Sequence, residues 1–366
     1  MDKDTIKLPV YAKMAQVILG LVALFYVLYI GKDIIVPLIL ALLLAILLNP
    51  VVNFLDNHKI NRTLSILLAI LGAFILLALL LFFVGSQLAR FSDSLPQFKQ
   101  KFIELYQQLF QWISQTFNFP PNTINEWVAK TKKEVMSQGT SVMGQTLGTL
   151  SGMLGVFLLL PVYIFLFLYY KILLLSFIAQ LFHNVPSKTV TEVLAQIKSL
   201  IQNYLVGLLT EAAIVATLNS AGLLIIGVQY AVVLGIIGAM LNLIPYIGGL
   251  IATALPMLIA ITTQDSTAAL WVLVVYLVVQ FLDNNLIVPK IVASKVKVNA
   301  LISIVVVLVG GSLWGVSGMF LSIPLVAILK VIFDRIEPLQ PFGYLIGDDQ
   351  PTVMKSLRRG QRKTQK

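Results

Sequence analysis

Between Glu211 and Asp265 lie 53 residues without a single Lys, Arg, Asp or Glu. A run of that length belongs in lipid or deep inside a helical bundle, because about 20 apolar residues already cross a bilayer. In the middle of it sits Leu241 to Pro256, LNLIPYIGGLIATALP. Pro245 lacks a backbone donor and clashes with the turn before it. Gly248 and Gly249 permit backbone that other residues resist. The stretch therefore reads as a helix broken at membrane depth. Broken backbone is tolerated there only where protein buries it or a watery cavity meets it. That makes it a candidate ligand path, against the plainer reading of a kink between packed helices.

The rest of the chain agrees on class. Of 366 residues, 58% are hydrophobic and 11% charged, where soluble domains carry about 25% charged residues. An all-α polytopic membrane protein is expected. There is no cysteine, which excludes disulfide and thiolate chemistry. With only His58 and His183 available, a multi-histidine metal site is close to excluded. No cofactor and no nucleic-acid partner are expected. The net charge of +10 reads as contact with anionic lipid and as a topology signal. The first apolar run, 14–30, follows Lys3, Lys7 and Lys13 and reads as a retained start-transfer helix.

Apolar segments fall at 14–30, 34–55, 64–88, 150–182, 205–228, 231–263, 268–289 and 300–333. They divide the chain into N-terminal transmembrane helices (1–88), an extramembrane helical insert (89–149), a transmembrane transport region (150–338) and a basic tail (339–366). The second segment should stop near Asn49-Pro50. The fourth is interrupted by Lys171, so its second half should run along the interface. In the insert, Leu88, Phe91, Leu95, Phe98, Phe102, Leu105, Leu109 and Trp112 recur at alternating spacings of three and four, a heptad seam that Pro96 could kink. Pro120-Pro121 should end that helix, and Asn122 should begin another, with Thr123 and Glu126 at capping-box spacing. Thr189 and Glu192 have the same spacing, ahead of an apolar face that continues without a breaker into the run from Leu205. One helix should enter the membrane from water there.

Segment 300–333 echoes 231–263. It carries Gly310, Gly311, Gly315 and Gly318 and then Pro324. Paired interrupted segments mark repeat-built secondary transporters. Positive residues stay cytoplasmic, and both termini are basic, so the number of crossings should be even. Eight single crossings would leave Lys290, Lys295 and Lys297 outside. Two re-entrant hairpins leave six crossings and bring the lysines inside, which favours the hairpins.

Two acids fall within apolar segments. A charge at the bilayer centre costs on the order of 3 kcal/mol on insertion scales. Asp283 stands among Gln280, Asn284 and Asn285, a set able to hold a proton, a sodium ion or a hydroxylated solute. The plainer reading pairs it with Lys290 near the interface. Glu211 lies two turns from Tyr204 and is more readily a snorkelling residue. Asn219 follows Glu211 at i+8 and can share its stripe or bond a neighbouring helix. Asn242 and Tyr246 are neighbours across one turn. Trp314 reads as a packing or interface aromatic. No GxxxxGK[ST] occurs, so this chain has no P-loop for ATP. An intramembrane protease lacks its required constellation, because neither histidine lies within an apolar segment and Asp283 is the single membrane aspartate. An enzyme is not expected. A passive channel or scaffold remains the alternative.

Asn242-Leu243-Ile244-Pro245-Tyr246-Ile247-Gly248-Gly249 with Pro256 resembles the PYxG signature of the AI-2E family of transporters. Gln280-Phe281-Leu282-Asp283-Asn284-Asn285 with Pro289 continues the resemblance, as do Gly310-Gly311, Trp314-Gly315, Gly318 and Pro324. Two positions depart from the pattern: Asp283 stands where the family usually has glutamate, and Ala300 where it usually has proline. The resemblance implies a bacterial inner-membrane secondary transporter and a homo-oligomer, with a pentamer among the possible assemblies. It implies either export of autoinducer-2, a quorum-sensing signal, or exchange of sodium or lithium for protons. The substrate or ion path would then run through Asp283, Asn284, Asn285, Gln280, Glu211, Asn242 and Tyr246. The topology has a direct test. A cysteine placed at Lys295 should react with a membrane-impermeant thiol reagent only from the cytoplasmic side, and labelling only from outside would overturn the two-hairpin arrangement.

Overall fold

The computed structural model describes residues 9–117, 158–183, 185–243, 248–292 and 298–348. Pro120, Pro121, Asn122, Pro245, Tyr246, Lys295, Lys297 and the basic tail beyond 348 lie outside the described residues, as do the side chains of the heptad seam. What is described is helical apart from an isolated bridge between Val298 and Gly347. The helices are α1 (Val10–Ile30), α2 (Lys32–Asn57), α3 (Arg62–Phe117), α4 (Leu158–Tyr169), α5 (Lys171–Leu181) and α6 (Ser187–Ile226). They are followed by α7 (Ala231–Asn242), α8 (Gly248–Thr263), α9 (Ser266–Leu282), a π-helical segment (Asp283–Val292), α10 (Ala300–Phe333) and the short α11 (Gln340–Ile346). Among the described residues six helices are long and apolar enough to cross a membrane, and the pair α4–α5, bent by 65° at its break, passes the same test only as a pair, as a broken span or a re-entrant loop. This is a multi-pass helical membrane protein.

Several boundaries differ from the sequence reading. Helix α2 does not stop at Asn49-Pro50 but runs on to Asn57. A proline costs one backbone bond, and a membrane helix absorbs that loss by local adjustment. Helix α3 passes from the span Arg62–Gln87 through Pro96 to Phe117 without a boundary between membrane segment and insert. The capping box at Thr189 is not formed. The helix begins earlier, at Ser187, and the Thr189 N–H already bonds the Pro186 carbonyl at 2.9 Å. Glu192 instead faces Arg335 at 3.7 Å, an exposed pair of small energetic value. The continuity of α6 from its amphipathic start to Ile226 is as expected.

The chain divides into two compact units. One comprises 1–46, 171–204 and 295–366, and its centre is α10. That helix is folded on itself: Gly315 has φ 62°, ψ −141°, and the Ser322 hydroxyl lies 2.8 Å from the Val306 carbonyl. In a straight helix those residues would stand about 24 Å apart. Gly310 and Gly318 face each other so closely that a Cβ on either would collide with the other's backbone. The Trp314 indole donates to the Leu28 carbonyl at 2.9 Å, tying α1 to the hairpin. Asn299 caps α10 by accepting from Ile302 N–H at 2.9 Å. Its amide also reaches the carbonyls of Leu345, Ile346 and Gly347, which latches α11.

The other unit comprises 47–170 and 205–294. Here α7 and α8 form the first hairpin. Val228, Ala231 and Leu234 at its start pack with Ile259 and Ala260 at its end, together with Leu223 of α6 and Ala268, Ala269, Val272 and Tyr276 of α9. Hydrophobic burial does not drive helices together in lipid, so close packing of small residues must. Gly222 lies against Val275 and Gly235 against Ser220, with no room for a Cβ at either. Both hairpins foreseen in the sequence are therefore present as antiparallel arms. Gly315→Ala should lower the thermal midpoint of the purified protein, because this positive-φ backbone is essentially reserved for glycine and costs a residue with a Cβ on the order of 1–3 kcal/mol. Gly72→Ala, at an open position in α3, should leave it unchanged or raise it.

Candidate functional site

A small cleft opens within the second unit, where α6, α7, α8 and α9 converge. Its polar lining consists of Asn219 from α6, Asn242 at the end of α7, and Tyr276, Gln280 and Asp283 along α9. Gly238 and Gly249 complete the wall. The cleft holds about one water-sized occupant. Helical periodicity explains the convergence. Glu211, Val215 and Asn219 repeat at i, i+4 and i+8 on α6, while Tyr276, Gln280 and Asp283 repeat at i, i+4 and i+7 on α9.

Asp283 ends α9 and begins the π-helical segment. A π turn accommodates an extra residue, tends to occur at functional sites, and here includes Pro289. Asp283 is 2% exposed. Its Oδ2 accepts from Asn242 Nδ2 at 2.8 Å, so the acid is tied to the break in the first hairpin. Its Oδ1 is buried with no hydrogen-bond partner among the described residues, and the same holds for Asn219 Oδ1 and Tyr276 OH. Buried polar atoms are normally satisfied. Three orphan oxygens lining one cleft therefore mark a place for a ligand.

Glycines give these groups their room. A Cβ at Gly249 would come 2.7 Å from Gln280 Oε1, and one at Gly238 would come 3.1 Å from Tyr276 OH and 3.4 Å from Asn219 Nδ2. Glu211 is 6% exposed and lies within electrostatic reach of Asp283. It is a buried second carboxylate rather than the snorkelling residue that the sequence favoured. Val215 and Asn219 of the same stripe pack against α7 and α9, and Glu211 is buried with them.

Other expectations shift. Asn284 and Asn285 are exposed. Asn284 Oδ1 accepts from Gln280 Nε2 at 3.2 Å. Asn285 donates to its own helix at Phe281 O, 2.8 Å away. Successive residues of a helix point in different directions, so the neighbours of a buried Asp283 leave its face. Neither residue lines the cleft. Gly248 lies against the Leu241 carbonyl and serves hairpin packing. Gly310, Gly311 and Gly318 are likewise occupied within their own hairpin, Gly311 against Met319. Sequence reasoning missed Tyr276 and Gly238. The spacing of Tyr276 to Gln280 and Asp283 was the available signal for the first, and nothing marked the second among many small residues. No group of three His, Asp or Glu residues able to hold a metal ion occurs among the described residues.

Comparison with known proteins gives the family. YueF of Bacillus subtilis (strain 168), provisionally named a transport protein, is 35% identical over 136 residues, 37% of each chain. A Haemophilus influenzae (strain ATCC 51907 / DSM 11121 / KW20 / Rd) protein, also provisionally named a transport protein, is 26% identical over 286 residues, 75% of this chain and 80% of its own. The AI-2 transport protein TqsA of Escherichia coli (strain K12) is 30% identical over 149 residues, 40% of this chain and 43% of its own. The alignment thus spans little more than a third of YueF and under half of TqsA. The model of the AI-2E family transporters matches residues 18–337, which takes in both hairpins and the cleft around Asp283, and the chain belongs to that family.

Proposed function

We propose that this protein is a secondary transporter of the bacterial cytoplasmic membrane in which Asp283 is the coupling acid. The observation that carries the reading is a carboxyl group 2% exposed, held by one oxygen to the end of α7 and without a partner at the other among the described residues. A buried intramembrane acid is expensive to keep and is a functional residue by default. Its partner Asn242 sits where α7 ends, so a change of charge or ligand at Asp283 acts directly on the hairpin. Movement of broken helices about a midplane site is the common device of secondary transporters.

Two cargo classes fit. One is a small polar solute such as autoinducer-2, which the similarity to TqsA supports. The other is a monovalent cation exchanged for protons, and the size of the cleft favours it. Space for about one water accommodates a bare ion, whereas a hydroxylated solute would require the hairpin to open. Six crossings with both termini in the cytoplasm, a homo-oligomeric assembly, and no resident cofactor complete the proposal. In proteoliposomes Asp283→Asn should fold normally and lose gradient-driven flux by about tenfold or more, while exchange at zero gradient survives. Normal gradient-driven flux with unchanged pH and sodium dependence would make Asp283 a structural residue. Trans-acceleration by substrate in counterflow distinguishes a carrier from a channel, which shows none.

A further inference from the structure

We infer that α11 is a latch on the α10 hairpin: while it is docked the two arms cannot part, and its release is the step that frees them. The inference deepens the transporter reading, on which it rests for its purpose but not for its contacts. Helix α11 touches both ends of the folded α10. At the first end the Asn299 amide donates to the carbonyls of Leu345, Ile346 and Gly347 at 2.6, 3.1 and 3.0 Å. The Asn299 backbone N–H adds a bond to the Ile346 carbonyl at 3.0 Å, and Val298 pairs with Gly347 in an antiparallel bridge. At the second end Phe342 meets Phe333 edge to face, with ring centroids 6.2 Å apart. Gly343 lies so close to Asp334 that a Cβ there would collide with it, and a Cβ on Gly347 would come 3.0 Å from Lys330 Cε.

Asn299 carries the latch because it combines two jobs. Its Oδ1 caps α10 by accepting from Ile302 N–H at 2.9 Å, which Asp or Ser would do as well. An amide also offers N–H donors, and here they meet carbonyls at the C-terminal end of α11, which have no partner within that helix. One side chain thus holds the start of α10 and the end of α11. The docking is also weak enough to reverse. Helix α11 has seven residues, too few to be stable alone. Its Phe342, Tyr344 and Leu345 are exposed, while Gly343 and Ile346 are buried. An element with few buried contacts opens at low free energy. The arms have no such slack, because Gly310 and Gly318 meet backbone to backbone and the Ser322 hydroxyl lies between the Gly318 and Val306 carbonyls. Parting them requires their outer ends to separate, and α11 bridges those ends.

The chain contains no cysteine, so thiols can be placed in the purified full-length protein without background. In Ser322→Cys the thiol lies between the arms, at a position 7% exposed, and its rate of alkylation by N-ethylmaleimide reports their parting. Adding Asn299→Asp keeps the cap but replaces the donor with an acceptor facing three carbonyls. Alkylation should become about tenfold faster, the size of change that loss of a single hydrogen bond produces. Asn299→Ser, which keeps a capping hydroxyl and adds no charge, should do the same. Tyr344→Ala, on the exposed side of α11, should leave the rate unchanged. Should Ser322→Cys fail to fold, hydrogen exchange of the 300–333 backbone gives the same comparison. Equal rates in the parent, Asn299→Asp and Asn299→Ser would overturn the latch. A second arm asks whether release belongs to the transport cycle. Val298→Cys with Gly347→Cys spans the antiparallel bridge, where Cα atoms stand about 4.5–5.5 Å apart, within disulfide range. In proteoliposomes the flux probes are uptake of radiolabelled sodium under a proton gradient and counterflow of autoinducer-2. The oxidised pair should lose flux about tenfold and recover it in dithiothreitol. Undiminished flux in the oxidised pair would overturn release as a step. A parent protein that passes neither probe, with alkylation as expected, removes the transporter reading and leaves the latch.

Discussion

The hydrogen bond from Asn242 to Asp283 is the interaction on which the second unit turns. One partner is the last residue of α7, just before the hairpin breaks. The other is the residue at which α9 gives way to the π-helical segment. Two irregular pieces of backbone are thus joined by one side-chain hydrogen bond to a buried carboxyl group. A hydrogen bond away from water is electrostatically stronger than one in it. The same setting makes the free oxygen of Asp283 costly. Stability and reactivity at this point have one origin.

Around that bond the packing is built from absences. Side chains are missing at Gly222 and Gly235, where α6 meets its neighbours, and at Gly238 and Gly249, where the cleft needs space. In lipid, a large apolar side chain gains little by moving from a tail to a neighbouring helix, so close backbone approach takes over as the source of cohesion. The hairpin of α10 follows the same logic by different means: a left-handed glycine at the turn, two facing glycines between the arms, and the Ser322 hydroxyl near a carbonyl of each arm. A hydroxyl within reach of two carbonyls satisfies itself locally, which suits a span where water is absent. The two hairpins therefore contrast. The described arms of α10 close on their own polar group, while the α7–α8 hairpin delivers a polar group to a site shared with α6 and α9.

Much of this was legible without coordinates. The class of protein followed from the low charge content and the long uncharged run, because lipid admits little else. The positions of both hairpins followed from proline and glycine, whose backbone preferences act locally. Asp283, Gln280 and Asn242, which line the cleft, were legible as candidates because a polar group in an apolar segment is costly wherever it points. Gly249 was legible because paired glycines beside a proline announce close approach. The stop expected at Asn49-Pro50 and the cap at Thr189 were misread because both depend on what surrounds the residue. A membrane helix can carry a proline, and an earlier first turn pre-empts a cap.

What only the tertiary structure decided is direction. The sequence determined that Glu211, Asn219, Tyr276, Asp283, Asn284 and Asn285 sit on apolar helices, but not which of them share a cleft. Facing is set by the rotation of each helix against its neighbours, and that rotation depends on contacts far apart in the chain, such as Gly235 with Ser220 and Gly222 with Val275. Those contacts turn Asn219 and Tyr276 inward with Asp283 and Gln280, bury Glu211, and leave Asn284 and Asn285 exposed. Composition and local backbone preference determined that this chain is a multi-pass helical membrane protein whose segments 231–263 and 300–333 are interrupted. The packing of small residues determined which oxygens meet.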